Sequence, residues 1–570
     1  MDSATKEVDN SNDVLPEELA LLEEEERILG ATLKSLELQC LEKARRLTAE
    51  DQRSRELTAE LVAANRDEDK QMLASDEAVS HALKQNHSER VKSLAKLLKR
   101  PYFARFVIEE EDERRGSTTI QHDYRLGYSA NPECRIIDWR KSPLAKIYYE
   151  YQEGDEFCEE VQGREREGRL VLKHPIRIDN GALKSVTTRH GTFTLQDGVW
   201  CRSGGSQAGG SGGIKSVLPL ITAEQFKTIT EDARTAVLIQ GIAGSGKTTV
   251  ALHRLAWLLH ESNSDFTADE CAVIVRNEVL AEFIKMTLQA IEISEVPVYT
   301  FEQWRNKVIG SLAPDTRLLD QGDAQPRLPG GFATLLHSEE LFEVFEKTLK
   351  QPIDAVPSAS ATGLFFESLT RAVLTAASQQ EKLFQITGAD TNEILHYLQE
   401  AKNLEALPAI LGNTYLRFLL HRELSRAPNE ELAAPIRFRH LVVDELQDYS
   451  LMSLASLMNA VESAHDLTLV GDIGQSISSD EQFIGWERLK EVWQIELGER
   501  ATFFTLNVSY RSTLPIMQLA SYASKRRSPT EGRAGRTPIW FHCENEERAT
   551  ESALQWLSKA LERYPTSLSA

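Results

Sequence analysis

The sequence has no run of 18 or more apolar residues, which excludes a membrane-spanning helix. Its first stretch, MDSATKEVDNSNDV, lacks the basic start and apolar middle of a signal peptide and the Arg-rich pattern of a transit peptide. It reads as a disordered tail over 1–14. Cysteine is scarce: Cys40, Cys134, Cys158, Cys201, Cys271 and Cys543 are scattered, with no CxxC pair. That argues against a zinc site and a disulfide framework and fits a reducing, cytoplasmic setting. A basic excess is also missing, because the formal net charge is −22. A protein that grips nucleic acid over its whole surface is usually basic. Here a basic groove would have to be local, or the partner would itself be basic or carry a basic channel.

What is present falls into segments. Residues 15–100 read as helix. Leu22, Leu29, Leu33, Leu36, Cys40 and Leu47 recur at spacings of one seam of a coiled coil. Val79, Leu83, Val91, Leu94 and Leu98 share a second face, and the polar run from Asn65 to Lys70 between the two reads as the tip of an antiparallel hairpin. Thirty residues of helix reach roughly 45 Å, so such an arm would project. One continuous dimerising coil is the alternative. Pro101 ends the helix. Residues 101–202 then show short alternating runs at 103–108, 135–139, 146–151, 169–172 and 192–195, the pattern of a small β-rich domain. A Gly/Ser linker fills 203–216. From 217 to 500, short apolar runs at 236–239, 272–275, 441–443 and 467–470 alternate with helical stretches, which predicts a parallel sheet. Residues 310–435 interrupt it as a helical insertion, and 501–570 read as the start of a second α/β unit.

Two motifs carry chemistry. Gly241-Ile242-Ala243-Gly244-Ser245-Gly246-Lys247-Thr248-Thr249 matches GxxxxGK[ST] between a strand-like run and a helix. The glycines let the backbone close on phosphate, and loop and helix N–H groups face the anion. Lys247 is placed to reach the β and γ phosphates of ATP, and Thr248 to bind Mg2+. In Leu441-Val-Val-Asp444-Glu445-Leu-Gln447-Asp448, an apolar strand delivers two carboxylates. Asp444 is placed to hold the Mg2+ and Glu445 to polarise the attacking water.

With these motifs in order, the chain resembles the superfamily 1 helicases of the UvrD/Rep kind. Ile221-Thr-Ala-Glu-Gln225 resembles the Q motif, whose glutamine reads adenine. His253-Arg254-Leu-Ala-Trp257 is similar to HRxAxL, Val273 to Asn277 to motif Ia, and Tyr299 to Trp304 to the segment after it. Gly471-Asp472-Ile-Gly-Gln475 resembles motif III, and Asn507-Val-Ser-Tyr510-Arg511 motif IV. The resemblance implies that Gln475 senses the γ phosphate, Tyr510 stacks on adenine and Arg511 contacts the γ phosphate. A narrower resemblance, resting on the N-terminal hairpin, Pro101-Tyr-Phe103, Ile137-Asp138-Trp139-Arg140 and Tyr148-Tyr149, is to the HelD family, helicase-like ATPases that bind bacterial RNA polymerase. It implies that residues 15–98 enter the polymerase secondary channel and residues 310–435 its main channel. Asp67, Glu68 and Asp69 at the tip suit approach to a catalytic metal, or form a solvated turn. Asp138 to Arg140 suit an ion pair beside a packed indole.

The implied fold is α/β: a P-loop RecA-like motor domain with an N-terminal antiparallel coiled-coil hairpin, a small β-rich domain, a helical insertion and a partial second RecA-like domain. The sequence departs from the family at two points. After Ile477 the DNA-stacking segment is replaced by Ser-Ser-Asp-Glu-Gln-Phe-Ile-Gly-Trp486, where Trp486 is either the stacking residue or core. No counterpart of motifs V and VI follows Arg511, and Gly532-Arg533 and Arg536 are basic but out of context. The expectation is a C-terminally incomplete motor with doubtful turnover. Three functions follow: an ATP-driven remodeller of RNA polymerase or nucleic-acid complexes, an ATP-dependent DNA helicase or translocase on single strands, or a non-hydrolysing nucleotide-binding protein.

Overall fold

The computed structural model describes residues 14–63, 66–112, 118–141, 143–161, 163–202, 218–319, 325–350, 360–427, 436–463, 465–472, 486–493, 500–509, 512–523, 528–530, 532, 534–539 and 542–563. The expected tail, apart from its last residue, and the Gly/Ser linker lie outside them. The described chain forms two compact units, residues 1–239 with 248–504, and residues 240–247 with 505–570.

The first unit opens with helices α1, Pro16–Ala63, and α2, Asp67–Lys99. Pro16 stands in the first turn, where a missing N–H costs nothing. The helices pair antiparallel: Ser80 bonds Glu50, Lys84 pairs with Asp51, and Thr58 donates to Glu77 at 2.6 Å. This distal seam is polar. Val79 and Leu83, expected to face α1, are 58% and 42% exposed. The buried apolar residues of α1 lie at the root of the arm, where the sheet and the end of α2 cover them together. Leu22 and Leu29 pack on Tyr102, Ile176, Phe193 and Trp200, and Leu36 joins Leu94, Leu97, Cys134 and Ile136. A leucine buried this way stabilises by about 1.5–3 kcal/mol, so the root of the arm, rather than its length, carries the apolar burial.

The root is also tied electrostatically. Glu25, 1% exposed, accepts from Arg105 Nη1 at 2.9 Å and lies 2.7 Å from His174 Nδ1. Burial pushes its carboxyl up, but the His174 hydrogen bond and the Arg105 charge outweigh this and hold it below the usual carboxylate value. Trp200 Nε1 donates to Glu26 at 2.8 Å, and Glu18 pairs with Arg202.

The β-rich domain contains β1, Ala104–Asp112; β2, Thr118–Gly127; β3, Ile136–Asp138; helix α3, Pro143–Glu150; β4, Glu156–Val161; β5, Arg164–Asp179; β6, Ala182–Thr188; β7, Gly191–Gln196; and β8, Val199–Arg202. The sheet order is β3-β2-β1-β5-β6-β7-β8, with β4 on β5. Its pairings are antiparallel except β2–β3. Asn180-Gly181 and Asp197-Gly198, all at positive φ, make the two-residue turns into β6 and β8. The run 146–151, read as one of the short alternating runs of the β-rich domain, is helical through Glu150. Pro143 opens the helix, and Ile147, Tyr148 and Tyr149 are all buried.

The parallel sheet follows. Its elements are α4, Ala223–Ile229; β9, Ala236–Gly241; α5, Lys247–Leu258; β10, Cys271–Val275; α6, Glu278–Ala290; β11, Val298–Thr300; and α7, Phe301–Leu312. The insertion supplies α8, Phe332–Leu336; α9, Glu339–Leu349; α10, Ala361–Gln379; α11, Glu381–Thr387; α12, Thr391–Asn403; and α13, Gly412–Arg426. Then come β12, His440–Val443; α14, Leu451–Met458; β13, Leu467–Gly471; α15, Trp486–Trp493; and β14, Ala501–Leu506. The order is β11-β10-β12-β13-β9-β14, and β10–β11, β10–β12 and β12–β13 are parallel. β14, near the expected start of a second α/β unit, is the edge strand beside β9. The insertion helices share one core with the sheet: Phe332, Phe345, Phe365, Leu398 and Phe418 belong to the same buried cluster as Leu238, Ile274, Leu441 and Leu469.

In the second unit, residues 240–247 lie against the chain from Thr505 onward. Ile242 N–H donates to Leu506 O at 3.3 Å, and Ser509 Oγ to Ala243 O at 2.8 Å. Helices α16, Leu514–Ala523, and α17, Glu546–Arg563, complete it.

Candidate functional site

In the first unit, β12 is buried at all four positions and is followed by Asp444, whose N–H donates to Ile274 O of β10 at 3.0 Å. Asp444 is 1% exposed. Its two carboxylate oxygens lie 3.1 and 2.9 Å from Thr248 Oγ1, in the first turn of α5. Residues 196 positions apart thus bring a hydroxyl and a carboxylate together, the hard oxygen set that suits a small divalent cation. Glu445 follows at φ 52°, ψ 50°, a left-handed conformation that costs a non-glycine residue roughly 1–2 kcal/mol. Its N–H donates to Asp444 Oδ1 at 3.1 Å, and its Oε2 accepts from Gln447 Nε2 at 2.6 Å. Asp448 pairs with Arg276, after β10, at 2.7 Å.

In the second unit, the glycine loop has the backbone its sequence demands. Gly244 and Gly246 sit at φ 73° and 85°, where a side chain would be strained. A Cβ on Gly241 would stand 2.5 Å from Ser245 Oγ and 3.0 Å from Leu506 O. Ser245 N–H closes the turn on Ile242 O at 3.1 Å. Lys247, 7% exposed, rests its ammonium 3.3 Å from the carbonyl of Ile242. Thr248 is the next residue in the chain, and the carbonyl of Thr249 lies 2.7 Å from His253 Nδ1. Burial pushes that imidazole down to about 4, so it is neutral.

Gln225 is 6% exposed and forms a capping box with Thr222 at the start of α4. Its Oε1 accepts from Thr222 N–H at 3.1 Å. Arg254, fully buried, donates to the carbonyls of Ile229, Glu231, Asp232 and Thr235 at 2.6–3.3 Å. It fastens α5 to the end of α4 and the approach to β9. No sequence pattern announces that role, because its acceptors are backbone atoms.

Two family models match the chain. The UvrD/REP helicase N-terminal domain matches residues 221–479, and the N-terminal domain of DNA helicase IV HelD matches residues 22–195. Together the two matches support a UvrD-like superfamily 1 helicase, most like HelD. No curated protein matches it. The HelD-type match covers the paired helices and nearly all of the antiparallel sheet, and the UvrD-type match spans α4 to the end of β13. The family's remaining motif residues, Gln475, Tyr510 and Arg511, lie outside the described residues. Trp486 is core: it is 4% exposed and meets Phe503 edge-on at 5.5 Å. Asp138 and Arg140 form an ion pair at 2.8 Å, with Trp139 buried beside His253. No helix among the described residues is long and apolar enough to cross a membrane.

Proposed function

We propose that this chain is an ATP-driven motor that remodels RNA polymerase or nucleic-acid complexes. The observation that carries the nucleotide reading is the Thr248–Asp444 pair, a hydroxyl and a buried carboxylate presented together at the first turn of a P-loop helix. On this reading Thr248 and Asp444 hold Mg2+. The ion would neutralise charge on the β and γ phosphates. The N–H groups of Gly244, Ser245, Gly246, Lys247, Thr248 and Thr249 receive the phosphates, and Gly241, Ile242 and Ala243 shape the loop's entrance. Lys247 exchanges the carbonyl of Ile242 for phosphate oxygen. Glu445 orients the attacking water, and the Gln225 amide reads the adenine edge. Gln475 and Arg511 act on the γ phosphate and Tyr510 stacks on the base.

RNA polymerase is the proposed partner because the HelD-type match falls on the arm and the sheet that anchors it. The acidic balance fits a basic channel better than bare DNA. The test is ATP hydrolysis by the purified chain, alone and with core polymerase or single-stranded DNA. Stimulation and co-purification with polymerase are expected, and Lys247→Ala should abolish phosphate release. Large stimulation by single-stranded DNA alone would favour a translocase. Nucleotide retention with no phosphate release under any condition would leave a binding protein.

A further inference from the structure

Gln447 makes two contacts that the chemistry above does not use. Its Nε2 donates to Glu445 Oε2 at 2.6 Å, and its Oε1 accepts from the backbone N–H of Asp472, just past β13, at 2.9 Å. The residue is 2% exposed. A neutral amide is the side chain that offers a donor and an acceptor on one carbon. Glutamate in its place would oppose Glu445 with like charge, and methionine would satisfy neither neighbour. Gly471 leaves the room for this: a Cβ there would stand 3.1 Å from the Gln447 oxygen. A continuous hydrogen-bonded path therefore runs from Thr248 through Asp444, Glu445 and Gln447 to Asp472.

Resting on the reading that Glu445 orients the attacking water, we infer that Gln447 is a positioning residue that locks this carboxylate to the end of β13. One oxygen of Glu445 is held by the amide, and the other is left for water.

The test compares Gln447→Ala and Gln447→Glu with the unaltered chain. Gln447→Ala should lower kcat about 10- to 100-fold while the Kd for ATP moves less than threefold, the effect of a lost orienting partner. Gln447→Glu creates a carboxylate pair that resists double ionisation. The acid limb of its kcat profile should move up by about one pH unit or more, and its melting deficit should shrink as pH falls from about 8 to about 5. A kcat for Gln447→Ala within twofold of the unaltered chain overturns the positioning role. A melting deficit of Gln447→Glu that does not change with pH overturns the contact itself. If the unaltered chain hydrolyses no ATP, the functional reading fails separately, and the melting comparison still decides whether Gln447 holds Glu445.

Discussion

Replacing Glu25 by alanine should loosen the root of the helical arm. Glu25 is the shared acceptor of Arg105 and His174, and its side chain is 1% exposed. Removing one partner of a buried ion pair costs about 3–5 kcal/mol, because the other is left desolvated. Arg105 keeps Asp123 at 3.0 Å, so its loss is partial. His174, 4% exposed, loses the acceptor at its Nδ1. The net expectation is about 2–3 kcal/mol. Unfolding of a chain of several domains sums over its parts, so a loss confined to the root is read more directly by a local probe. Hydrogen exchange reads it locally, through amides of α1 between residues 18 and 36 and of β5 between 174 and 178. At about 1.4 kcal/mol per tenfold, protection there should fall about 30- to 140-fold. Protection within about threefold of the parent would refute the reasoning. The pH dependence has a defined sign. The carboxyl is held below its usual value of 4.5, so its contribution is full above that pH. It is lost as pH falls through the lower folded value.

Arg254→Met should destabilise the first unit by about 3–5 kcal/mol, since four carbonyls lose their buried donor; urea denaturation followed by exchange in α4 and β9 checks this, and a loss under about 1 kcal/mol would count against it. His253 and His421 are pushed by burial down to about 4 and His440 to about 3. Their folded values lie below the usual 6.5, so unfolding takes up protons and stability should fall as pH drops from about 6.5 to about 4, with up to about three protons bound. Titrated unfolding measures that slope, and a flat profile would contradict the burial. Leu29→Ala should cost about 2–5 kcal/mol at the root of the arm, whereas Leu83→Ala, on an exposed position, should stay within about 0.5 kcal/mol; equal losses in local exchange would mean that the distal seam is apolar after all.

The sequence by itself determined what is local. The glycine loop, the strand before it and the helix after it are consecutive residues, so the need for positive φ at Gly244 and Gly246 is written in their order. The acid pair at Asp444 and Glu445 was legible for the same reason, since an apolar run ending in two carboxylates defines its own strand end. The strands at 236–239, 272–275, 441–443 and 467–470 fell within β9, β10, β12 and β13. Periodicity, in contrast, says that a helix face is apolar without saying what covers it. At the root the α1 leucines met the β-sheet and the end of α2, whereas Val79 and Leu83 stay exposed. Ile147-Tyr148-Tyr149 carries strand propensity, yet burial on every side made it a helix. Tertiary structure alone decided the contacts that span long stretches of chain: Glu25 with His174, Thr248 with Asp444, Gln447 with Asp472, and Arg254 with the carbonyls around α4. Buried polar groups must find partners wherever the fold brings them, and sequence spacing holds no record of which partner that will be.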